Sequence, residues 1–409
     1  MIKSKYILLC ILAFLCFEIS AQNIWSKRAG CGGSKRERGV GFSIAGRGYI
    51  GLGQDTLNLM LKDLWEYDPA SNSWTQKANF PGVARRDAAS FVIGTKAYVG
   101  TGMDNADAWI GNALADFWEY SPATNTWTSK ASFPGNSGFG IYYATGFSVL
   151  GKGYFCCGKE AASNYSNDLW EYNPTTNTWL QKLDMPGPER YGAVAFTVGN
   201  YAYCGTGTDE NILTNDFYRY DPSINMWMIL SNFPGSGRFS GSSFVLSGKG
   251  YMLLGTDGGY KDELWMYDET LDYWFPKAAF PGGARRSAGA FSISGKGYAG
   301  TGKGLTGTRR DFWEYLPSIP AGINEYSDII FSNVYPNPMT EQSTIVLSDK
   351  ISLQNLFWEL RDVQGKLIST ETIEQNSFTI SKNNMTNGIY ALNIKNKNGT
   401  IASKKIIVQ

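Results

Sequence analysis

Acidic side chains recur at one position of a repeating pattern in this 409-residue chain. Each acid follows a short apolar run that contains glycine, and the set is Asp55, Asp104, Glu160, Asp209 and Asp257. A ring of carboxylates could hold a hard cation, because such ions prefer oxygen ligands. The acids could instead cap turns and pair with neighbouring arginines. A contact that recurs in nearly every repeat solves a recurring packing problem, so we favour the structural interpretation and predict neither a metal nor a cofactor.

Arginines recur with the same period, each after a turn of the Phe-Pro-Gly type. They are Arg85, Arg190, Arg238 and Arg285, and either Arg36 or Arg38 supplies the first repeat. We expect these arginines to be the partners of the recurring acids. Because such a repeated pair would belong to the scaffold, residues that break the pattern are better candidates for function.

Aromatic and basic residues that interrupt the repeat are the candidates for ligand binding. The set is Trp109, Tyr142, Tyr143, Tyr165, Tyr191, Arg219, Tyr260, Arg309 and Arg310. Trp109 belongs to the longest variable segment, and an exposed Trp suits stacking on a sugar or contact with a protein. Alternatively, Trp109 folds back over its own loop. We therefore predict a glycan or a protein as the ligand of the surface that carries these residues.

The composition excludes many catalytic classes. The chain has no histidine, which removes Ser-His, Cys-His and His-zinc sites. A hydrolase or lyase acting on carbohydrate could still use two carboxylates about 5–10 Å apart, and Asp104, Glu160 and Asp209 are the available candidates. Because the sequence places no two of them at that distance, binding is favoured over catalysis and no catalytic residue is assigned. The 37 basic and 36 acidic residues give no reason to expect nucleic acid as a partner.

An internal repeat must position these side chains. The stretch DLWEYDPASNSW at Asp63–Trp74 returns in altered form from residues 116, 168, 216 and 263, and in part from residue 311. Each unit reads as four short strands that Pro and Gly separate. Four strands in a unit of about 50 residues are typical of a β-propeller blade. The spacing of Tyr67 and Trp74 is kept in every complete copy, which predicts that the pair packs on adjacent strands.

The incomplete sixth copy predicts how the propeller closes. It runs as DFWEYLP over residues 311–317 and stops before its tryptophan, whereas residues 23–30 have a tryptophan but no blade of their own in front. We expect the N-terminal strand to complete the sixth blade, with Trp25 packed against Tyr315. Such closure removes exposed sheet edges. The loops 2–3 and 4–1 of every blade then open on the face that carries the candidate residues.

The repeat resembles the kelch family of six- or seven-bladed propellers, which includes galactose oxidase. The shared features are the Tyr–Trp pair, the turn between its members and the arginine after the proline. Kelch repeats have adjacent glycines after the second strand, whereas this chain has Gly-x-Gly. The resemblance implies an all-β fold, a six-bladed β-propeller over residues 22–317 that the N-terminal strand closes. Galactose oxidase chemistry is excluded, because its copper site needs histidines.

The two ends of the chain are predicted to direct export. Lysines followed by an apolar run make residues 1–21 a signal peptide. After a linker at residues 318–332, residues 333–409 resemble the C-terminal sorting domain of type IX secretion cargo, a small Ig-like β-sandwich. The resemblance rests on YPNP at 335–338, LRDVQGKLI at 360–368, NGIYALNI at 387–394 and the final SKKIIVQ. It implies export through the outer-membrane type IX machinery and then removal of residues 333–409. The alternative is a small adhesion-type module.

The expected product is secreted, either extracellular or attached to the outer-membrane surface. It has no predicted transmembrane segment, because the apolar run Tyr6–Phe17 is too short to span a bilayer. Cysteines can form disulfides in such a location. Cys156 and Cys157 are expected on opposite faces of a strand and therefore not paired with each other. Either the cysteines are small buried apolar residues, or Cys157 bridges to Cys204 in the neighbouring blade.

Overall fold

The computed structural model describes residues 23–104, 112–135, 140–161, 164–317, 330–349, 351–383, 385–397 and 399–409. Between residues 23 and 317, this described part of the chain forms six four-stranded antiparallel sheets and one short hairpin. The innermost strand of each sheet packs against the innermost strands of two neighbouring sheets. The sheets therefore surround a central channel as the blades of a propeller. The expected signal peptide at residues 1–21 lies outside the described residues.

Blades one to five each use four strands that are consecutive in the chain. The first blade contains β2 (Val40–Ile44), β3 (Arg47–Gly51), β4 (Leu64–Asp68) and β5 (Ser73–Lys77). The second contains β6 (Ala89–Ile93), β7 (Lys96–Gly100), β8 (Phe117–Ser121) and β9 (Thr126–Lys130). The third contains β10 (Thr145–Val149), β11 (Lys152–Ala161), β12 (Asn164–Asn173) and β13 (Thr178–Gln181). The next two contain β14 (Val194–Val198), β15 (Tyr201–Thr208), β16 (Leu213–Asp221) and β17 (Met226–Ile229); and β18 (Ser242–Leu246), β19 (Lys249–Leu253), β20 (Leu264–Asp268) and β21 (Tyr273–Lys277).

The sixth blade joins the two ends of the propeller, and its predicted closure is confirmed. It contains β22 (Gly289–Ile293), β23 (Lys296–Gly300), β26 (Phe312–Leu316) and β1 (Ile24–Arg28), with the hairpin β24 (Lys303–Gly304) and β25 (Gly307–Thr308) in its 2–3 loop. β1 pairs antiparallel with β26, and Trp25 is opposite Tyr315 in the register. The indole of Trp25 donates a hydrogen bond to the carbonyl of Ala278 in the fifth blade at 2.9 Å. The outer strand of the last blade therefore comes from the start of the described chain.

Aromatic side chains fill the space between neighbouring blades. Phe42 stacks on Tyr49 within the first blade, with ring centroids 5.2 Å apart, and Tyr49 contacts Tyr120 of the second blade at 5.9 Å. Glycine is required where a ring lies directly against the next strand. A Cβ atom on Gly48 would come within 2.1 Å of the Phe291 ring of the sixth blade. The small and aromatic positions of the repeat thus set the distance between blades.

Residues 330–409 form two antiparallel sheets, compatible with the expected small β-sandwich. One contains β27 (Phe331–Tyr335), β28 (Gln342–Leu347) and β31 (Ser377–Ser381), and the other contains β29 (Phe357–Asp362), β30 (Leu367–Thr372), β32 (Gly388–Asn396) and β33 (Gly399–Val408). Buried side chains from both sheets, such as Ile345 and Leu392, belong to one core. Across all the described ranges, helices long and apolar enough to cross a membrane are absent.

The core of these C-terminal sheets continues into the fifth blade. Leu271 and Phe275 of that blade are buried in the same cluster, and the amide of Ser352 donates a hydrogen bond to the carbonyl of Leu271 at 3.3 Å. The equivalents of Leu271 in the first four blades are exposed: Ser71, Thr124, Thr176 and Ile224. The fifth blade therefore departs from its repeat where the C-terminal sheets cover it.

Candidate functional site

A ring of six residues, one before the first strand of each blade, surrounds the opening of the channel. Its members are Arg38, Asp87, Tyr143, Gly192, Ser240 and Ser287. All six have positive φ angles, between 54° and 65°. Their amides and carbonyls form a closed series of hydrogen bonds from blade to blade, with lengths of 2.8–3.2 Å. Left-handed backbone costs a non-glycine residue about 1 kcal/mol or more, and this ring of hydrogen bonds holds it in place.

The residue before each ring member pairs with a residue at or just beyond the end of the second strand of its blade. These preceding residues are Glu37, Arg86, Tyr142, Tyr191, Phe239 and Arg286. The two sets of six are together termed the channel mouth. It opens on the face of the 2–3 and 4–1 loops, above a cavity of about 220 Å³ lined by small residues such as Gly41, Ser90 and Ala195. Because the side chains of the mouth differ from blade to blade, the site is asymmetric on a nearly symmetric backbone.

One side of the channel mouth, at blades one, two and six, is charged. Nε of Arg38 lies 3.7 Å from a carboxylate oxygen of Glu37, and Nη1 of Arg38 lies 3.5 Å from a carboxylate oxygen of Asp87. Arg86 also binds Asp87, at 2.5 Å, and Arg286 lies 3.9 Å from Glu37. Glu37 is only 1% exposed. Its other carboxylate oxygen lies 3.5 Å from the ammonium group of Lys303 and accepts a hydrogen bond from the Gln54 side chain at 3.0 Å, so three cations surround this buried acid.

The other side of the mouth, at blades three to five, is aromatic. The rings of Tyr143 and Tyr191 have centroids 5.1 Å apart, and Tyr165 stacks on Tyr191 at 5.8 Å. The ammonium group of Lys159 lies 5.0 Å from the Tyr165 ring centroid and 5.5 Å from that of Tyr191. The guanidinium of Arg38 lies 5.2 Å from the Tyr143 ring centroid. Cation–π contacts of this kind join the charged side to the aromatic side.

Several buried polar atoms of the channel mouth lack a hydrogen-bond partner within the described residues. They are Glu37 Oε2, Arg38 Nε, Tyr142 Oη, Ser240 Oγ, Arg286 Nε and Ser287 Oγ. Leaving a buried polar atom without a partner costs about 1–3 kcal/mol, and native proteins contain few such atoms. Their concentration around one opening marks a place where a polar ligand could supply the missing hydrogen bonds.

The protonation states of the mouth follow from its burial. Burial raises the pKa of Asp87, although Arg38 and Arg86 oppose that change. Burial also raises the pKa of Tyr142 to about 12, so this side chain remains a neutral phenol near pH 7. Burial lowers the pKa of Arg38, but Tyr143, Asp87 and Glu37 raise it by more, so the guanidinium stays charged. The mouth thus presents a fixed cation beside phenol groups that can donate and accept hydrogen bonds.

Comparison with known proteins addresses both halves of the chain. Residues 84–134 match the Kelch motif, and residues 333–409 match the secretion system C-terminal sorting domain. The chain carries a kelch motif within its propeller and a secretion sorting domain at its C-terminal end. The solved structure of YjhT has the same fold, at 17% sequence identity and a TM-score of 0.58, over 70% of this chain and 96% of that one. No curated protein matches the chain.

The sorting domain determines where the kelch-type propeller is delivered. Domains of this family direct secretion, so the protein is secreted and attached at the cell surface or outer membrane. Residues 333–409 are the part that interacts with the type IX secretion machinery. The face that carries the channel mouth is therefore presented outside the cell.

The structure brings together four of the residues predicted to bind a ligand, namely Tyr142, Tyr143, Tyr165 and Tyr191, at the aromatic side of the mouth. Three others lie farther out in 2–3 loops of the same face. Tyr260 pairs with Thr256 in the fifth blade, Arg309 pairs with Arg36 and binds Thr306, and Arg310 is exposed. Trp109 lies outside the described residues.

Arg219 is placed away from the channel mouth. It lies in β16 of the fourth blade, where it pairs with Tyr203 and Met228. Its guanidinium lies 4.3 Å from the ring centroid of Tyr201, which begins β15 next to the 1–2 loop. Arg219 is therefore nearer the opposite face of the propeller.

The recurring acids cap their own loops. An oxygen of Asp55 accepts the amides of Leu57 and Leu59 at 2.8 and 2.9 Å, and Asp209 accepts two amides of its loop in the same way. Asp104 accepts the amide of Asn112, Asp257 accepts that of Gly259, and Glu160 binds the Asn164 side chain. Groups of three or more Asp, Glu, Cys or His with metal-binding geometry are absent from the described ranges. These contacts agree with the turn-capping interpretation of the acids.

The expected pairing of these acids with the recurring arginines is wrong. The arginines bind the acid that opens the third strand, in the pairs Arg36–Asp63, Arg85–Asp116, Arg190–Asp216, Arg238–Glu263 and Arg285–Asp311. Each arginine also donates to the carbonyl in the middle of the Gly-x-Gly position, as Arg285 does to Thr301 at 2.8 Å. Each arginine thus connects its 4–1 loop to two places in the blade. One is the backbone at the end of the second strand, and the other is the acid near the start of the third strand. Arg36, and not Arg38, fills this role in the first blade.

Four charged residues of the channel mouth are absent from the sequence-based candidates: Glu37, Arg86, Asp87 and Arg286. They follow the scaffold arginines within one or two positions, so they read as part of the repeated turn. The available signal was the change of residue type at those two positions from blade to blade. A position whose side chain varies while its neighbours repeat is a candidate for function.

Proposed function

We propose that the propeller of this secreted protein binds a glycan at the channel mouth. The single observation that carries the proposal is the set of buried polar atoms without partners beside the cluster of tyrosines. A sugar has hydroxyl groups that can bond Arg38 Nε, Ser240 Oγ and Ser287 Oγ, and an apolar ring face that can lie on Tyr191. The cavity of about 220 Å³ suits a small group, such as the end of a glycan, better than the broad surface of a protein.

A glycan array probed with the purified full chain tests this proposal. We expect wild-type protein to retain at least one class of glycan. Arg38→Met and Tyr191→Leu should weaken that binding about tenfold or more, because each removes a charged hydrogen bond or a stacking surface. Arg219→Met, near the opposite face, is the matched control and should leave binding unchanged. The proposal fails if no glycan is retained, or if both mouth variants bind as well as wild type while remaining folded.

A second candidate is a histidine-free carbohydrate-active enzyme, and one observation favours it. Glu37 and Asp87 lie on either side of the Arg38 guanidinium, at 3.7 and 3.5 Å. Glycoside hydrolysis commonly uses two carboxylates at one site, and a single carboxylate can abstract a proton in a lyase. Mass spectrometry of array-positive glycans after prolonged incubation separates the two functions. Cleavage that Glu37→Gln and Asp87→Asn both abolish would establish the enzyme, whereas intact glycans would leave binding as the function.

A further inference from the structure

Three cysteines meet in the interface between the third and fourth blades. Cys156 and Cys157 belong to β11, Cys204 belongs to β15, and each is at most 1% exposed. The sulfur atoms of Cys156 and Cys157 lie 3.5 Å apart, and Cys204 of the neighbouring blade is buried in the same cluster. The remaining cysteine of the described residues, Cys31, is buried in a different cluster. The three thiols therefore form a group with no equivalent elsewhere in the described propeller.

A β-bulge brings the adjacent cysteines together. In a regular strand their side chains would lie on opposite faces, and that expectation is wrong for this pair. The register shifts between Cys156 and Gly158, and Cys157 has a φ of 59°. Other blades make the same bulge with Gly-x-Gly, where the middle residue also has positive φ, as Thr206 does at 60°. The third blade uses Cys-Cys-Gly, so the bulge turns both thiols towards the fourth blade.

The third blade also departs from its repeat next to these thiols. In the other five blades, the position equivalent to Ile141 holds the arginine that binds the acid of the third strand. Cys157 contacts the sulfur of Met185 at 3.9 Å. Hydrogen bonds from Cys156 and Cys204, together with the charge of Arg190, lower the pKa of Cys157. The cluster therefore holds three buried thiols beside a thioether.

We propose that Cys204 forms a disulfide with one of the two adjacent cysteines, Cys156 or Cys157, and thereby links the third and fourth blades of the exported protein. Secreted proteins pass through oxidising compartments where such bonds form and persist. Because the thiols are buried in the finished interface, the bond forms while the two blades are coming together. The cysteine of the pair that is left over lies within reach of the bond and can exchange into it.

The reaction needs an oxidant, and a protein disulfide of the exporting cell's envelope is the class that supplies it. One cysteine thiolate attacks a sulfur of that disulfide, giving a mixed disulfide and releasing the first oxidant thiolate. The second cysteine thiolate then attacks the sulfur of the first and displaces the other oxidant thiolate. Two cysteine thiols lose two electrons and two protons in total. The oxidant gains them as two thiols.

Counting thiols in protein collected after export tests the proposal. The protein is unfolded without reductant, alkylated and digested. Tandem mass spectrometry then analyses the three peptides that contain Cys31, the adjacent pair Cys156 and Cys157, and Cys204. We expect two alkylated cysteines, one of them Cys31, and a disulfide that includes Cys204. Four alkylated cysteines would overturn the proposal, as would a bond between Cys156 and Cys157 with Cys204 alkylated.

Single variants add a distinctive pattern. Cys156→Ala and Cys157→Ala should each retain a disulfide, because the other adjacent cysteine takes the place of the missing one. Cys204→Ala should retain none, and Cys31→Ala should retain the bond with one alkylated site fewer. Retention of a disulfide in Cys204→Ala, or its loss in both single variants of the pair, would contradict the exchange within the cluster. If a variant is not exported, the thiol count of the wild-type protein decides the question alone.

Discussion

Trp25 packs on Tyr315 with ring centroids 5.0 Å apart, although the two residues come from opposite ends of the propeller. The Tyr–Trp pairs within the other blades have the same geometry, for example 5.1 Å for Tyr67 and Trp74. Even the turn contact is kept, because the hydroxyl of Tyr315 donates to the side chain of Asn23 at 2.7 Å. The repeat is therefore circular, and its boundary falls inside a blade.

We expect Trp25→Ala to destabilise the propeller by about 3 kcal/mol, as removal of a packed Trp does in other cores. Trp127→Ala in the second blade is the matched control. Its indole makes the equivalent bond to Ala78 at 2.9 Å, as that of Trp25 does to Ala278. Urea unfolding should give similar losses for the two variants. A much smaller loss for Trp25→Ala would show that closure adds little to stability.

The scaffold arginines predict a dependence of stability on pH. Arg285 is 1% exposed and binds Asp311 through two hydrogen bonds of 2.7 and 3.0 Å. Burial raises the pKa of Asp311, but the bonds from Arg285 and Trp313 lower it overall. A carboxyl with a lowered folded-state pKa stabilises the protein above its unfolded pKa, and this contribution is lost as the pH falls through the folded-state value.

Arg285→Met should therefore cost about 3 kcal/mol at pH 7, since it leaves a largely buried carboxylate without its partner. The difference from wild type should shrink below about pH 4, where Asp311 is protonated in the variant and increasingly so in wild type. Lys296→Met is the control, because it removes an exposed partner of Glu314 and should cost about 0–1 kcal/mol. A loss for Arg285→Met that is constant with pH would contradict the pairing.

Asp87 predicts the opposite dependence on pH. Its pKa is raised by burial, against the pull of Arg38 and Arg86 and with the help of Glu37. Such a carboxyl contributes stability below its unfolded pKa, and that contribution is lost as the pH rises through the folded-state value. The stability of Asp87→Asn minus that of wild type should therefore increase as the pH rises from 4 to 7. Thermal unfolding of both proteins at each pH measures this difference. An unchanged difference would show that Asp87 is not strained by its burial.

Sequence patterns were sufficient for the scaffold because it repeats. The sixth copy lacks the Trp of its Tyr–Trp pair, and this identified the N-terminal segment as the closing strand. The favoured interpretation of the acids after the second strand as turn caps agrees with their hydrogen bonds. The ion-pair partner of each recurring arginine was harder to predict from the sequence, because each blade offers two acids, one in the 2–3 loop and one at the third strand. Only the three-dimensional positions show that Arg285 reaches Asp311 and not the acid of a 2–3 loop.

Local backbone geometry limited what could be predicted about the site. Cys157 was placed on the wrong face because a bulge with positive φ reverses the alternation of a strand. The channel mouth was found in part, through the tyrosines that break the repeat. Asp87 was missed because it follows two arginines and reads as a turn residue. That six such residues form one ring depends on closure of the whole propeller, which no local pattern contains.

Removal of residues 333–409 should prevent delivery of the propeller to the outside of the cell. These residues match the sorting domain that addresses cargo to the type IX machinery. Cell fractionation should find the truncated protein within the cell envelope and the full chain at the surface or in the medium. Equal amounts of both proteins outside the cell would show that the C-terminal sheets act as a different module.

The same truncation should also uncover an apolar surface on the fifth blade. Leu271 and Phe275 are 1% exposed while the C-terminal sheets cover them. Each fully buried side chain of this size is worth about 1.5–3 kcal/mol, so a truncated propeller purified without these sheets should be less stable and should associate at high concentration. Leu271→Ser together with Phe275→Thr installs the residue types of the first blade, Ser71 and Thr75, and should restore a monomer.

Light scattering of the truncated protein with and without these two substitutions measures the effect. Met226→Thr in the fourth blade is the control, because Met226 is already 53% exposed and its replacement should not change association. In the full chain, the double substitution should lower stability instead, since it removes buried contacts between the blade and the C-terminal sheets. The same two substitutions should therefore destabilise the full chain and prevent association of the truncated protein. If the double substitution leaves the stability of the full chain unchanged, the C-terminal sheets do not pack on the fifth blade in solution.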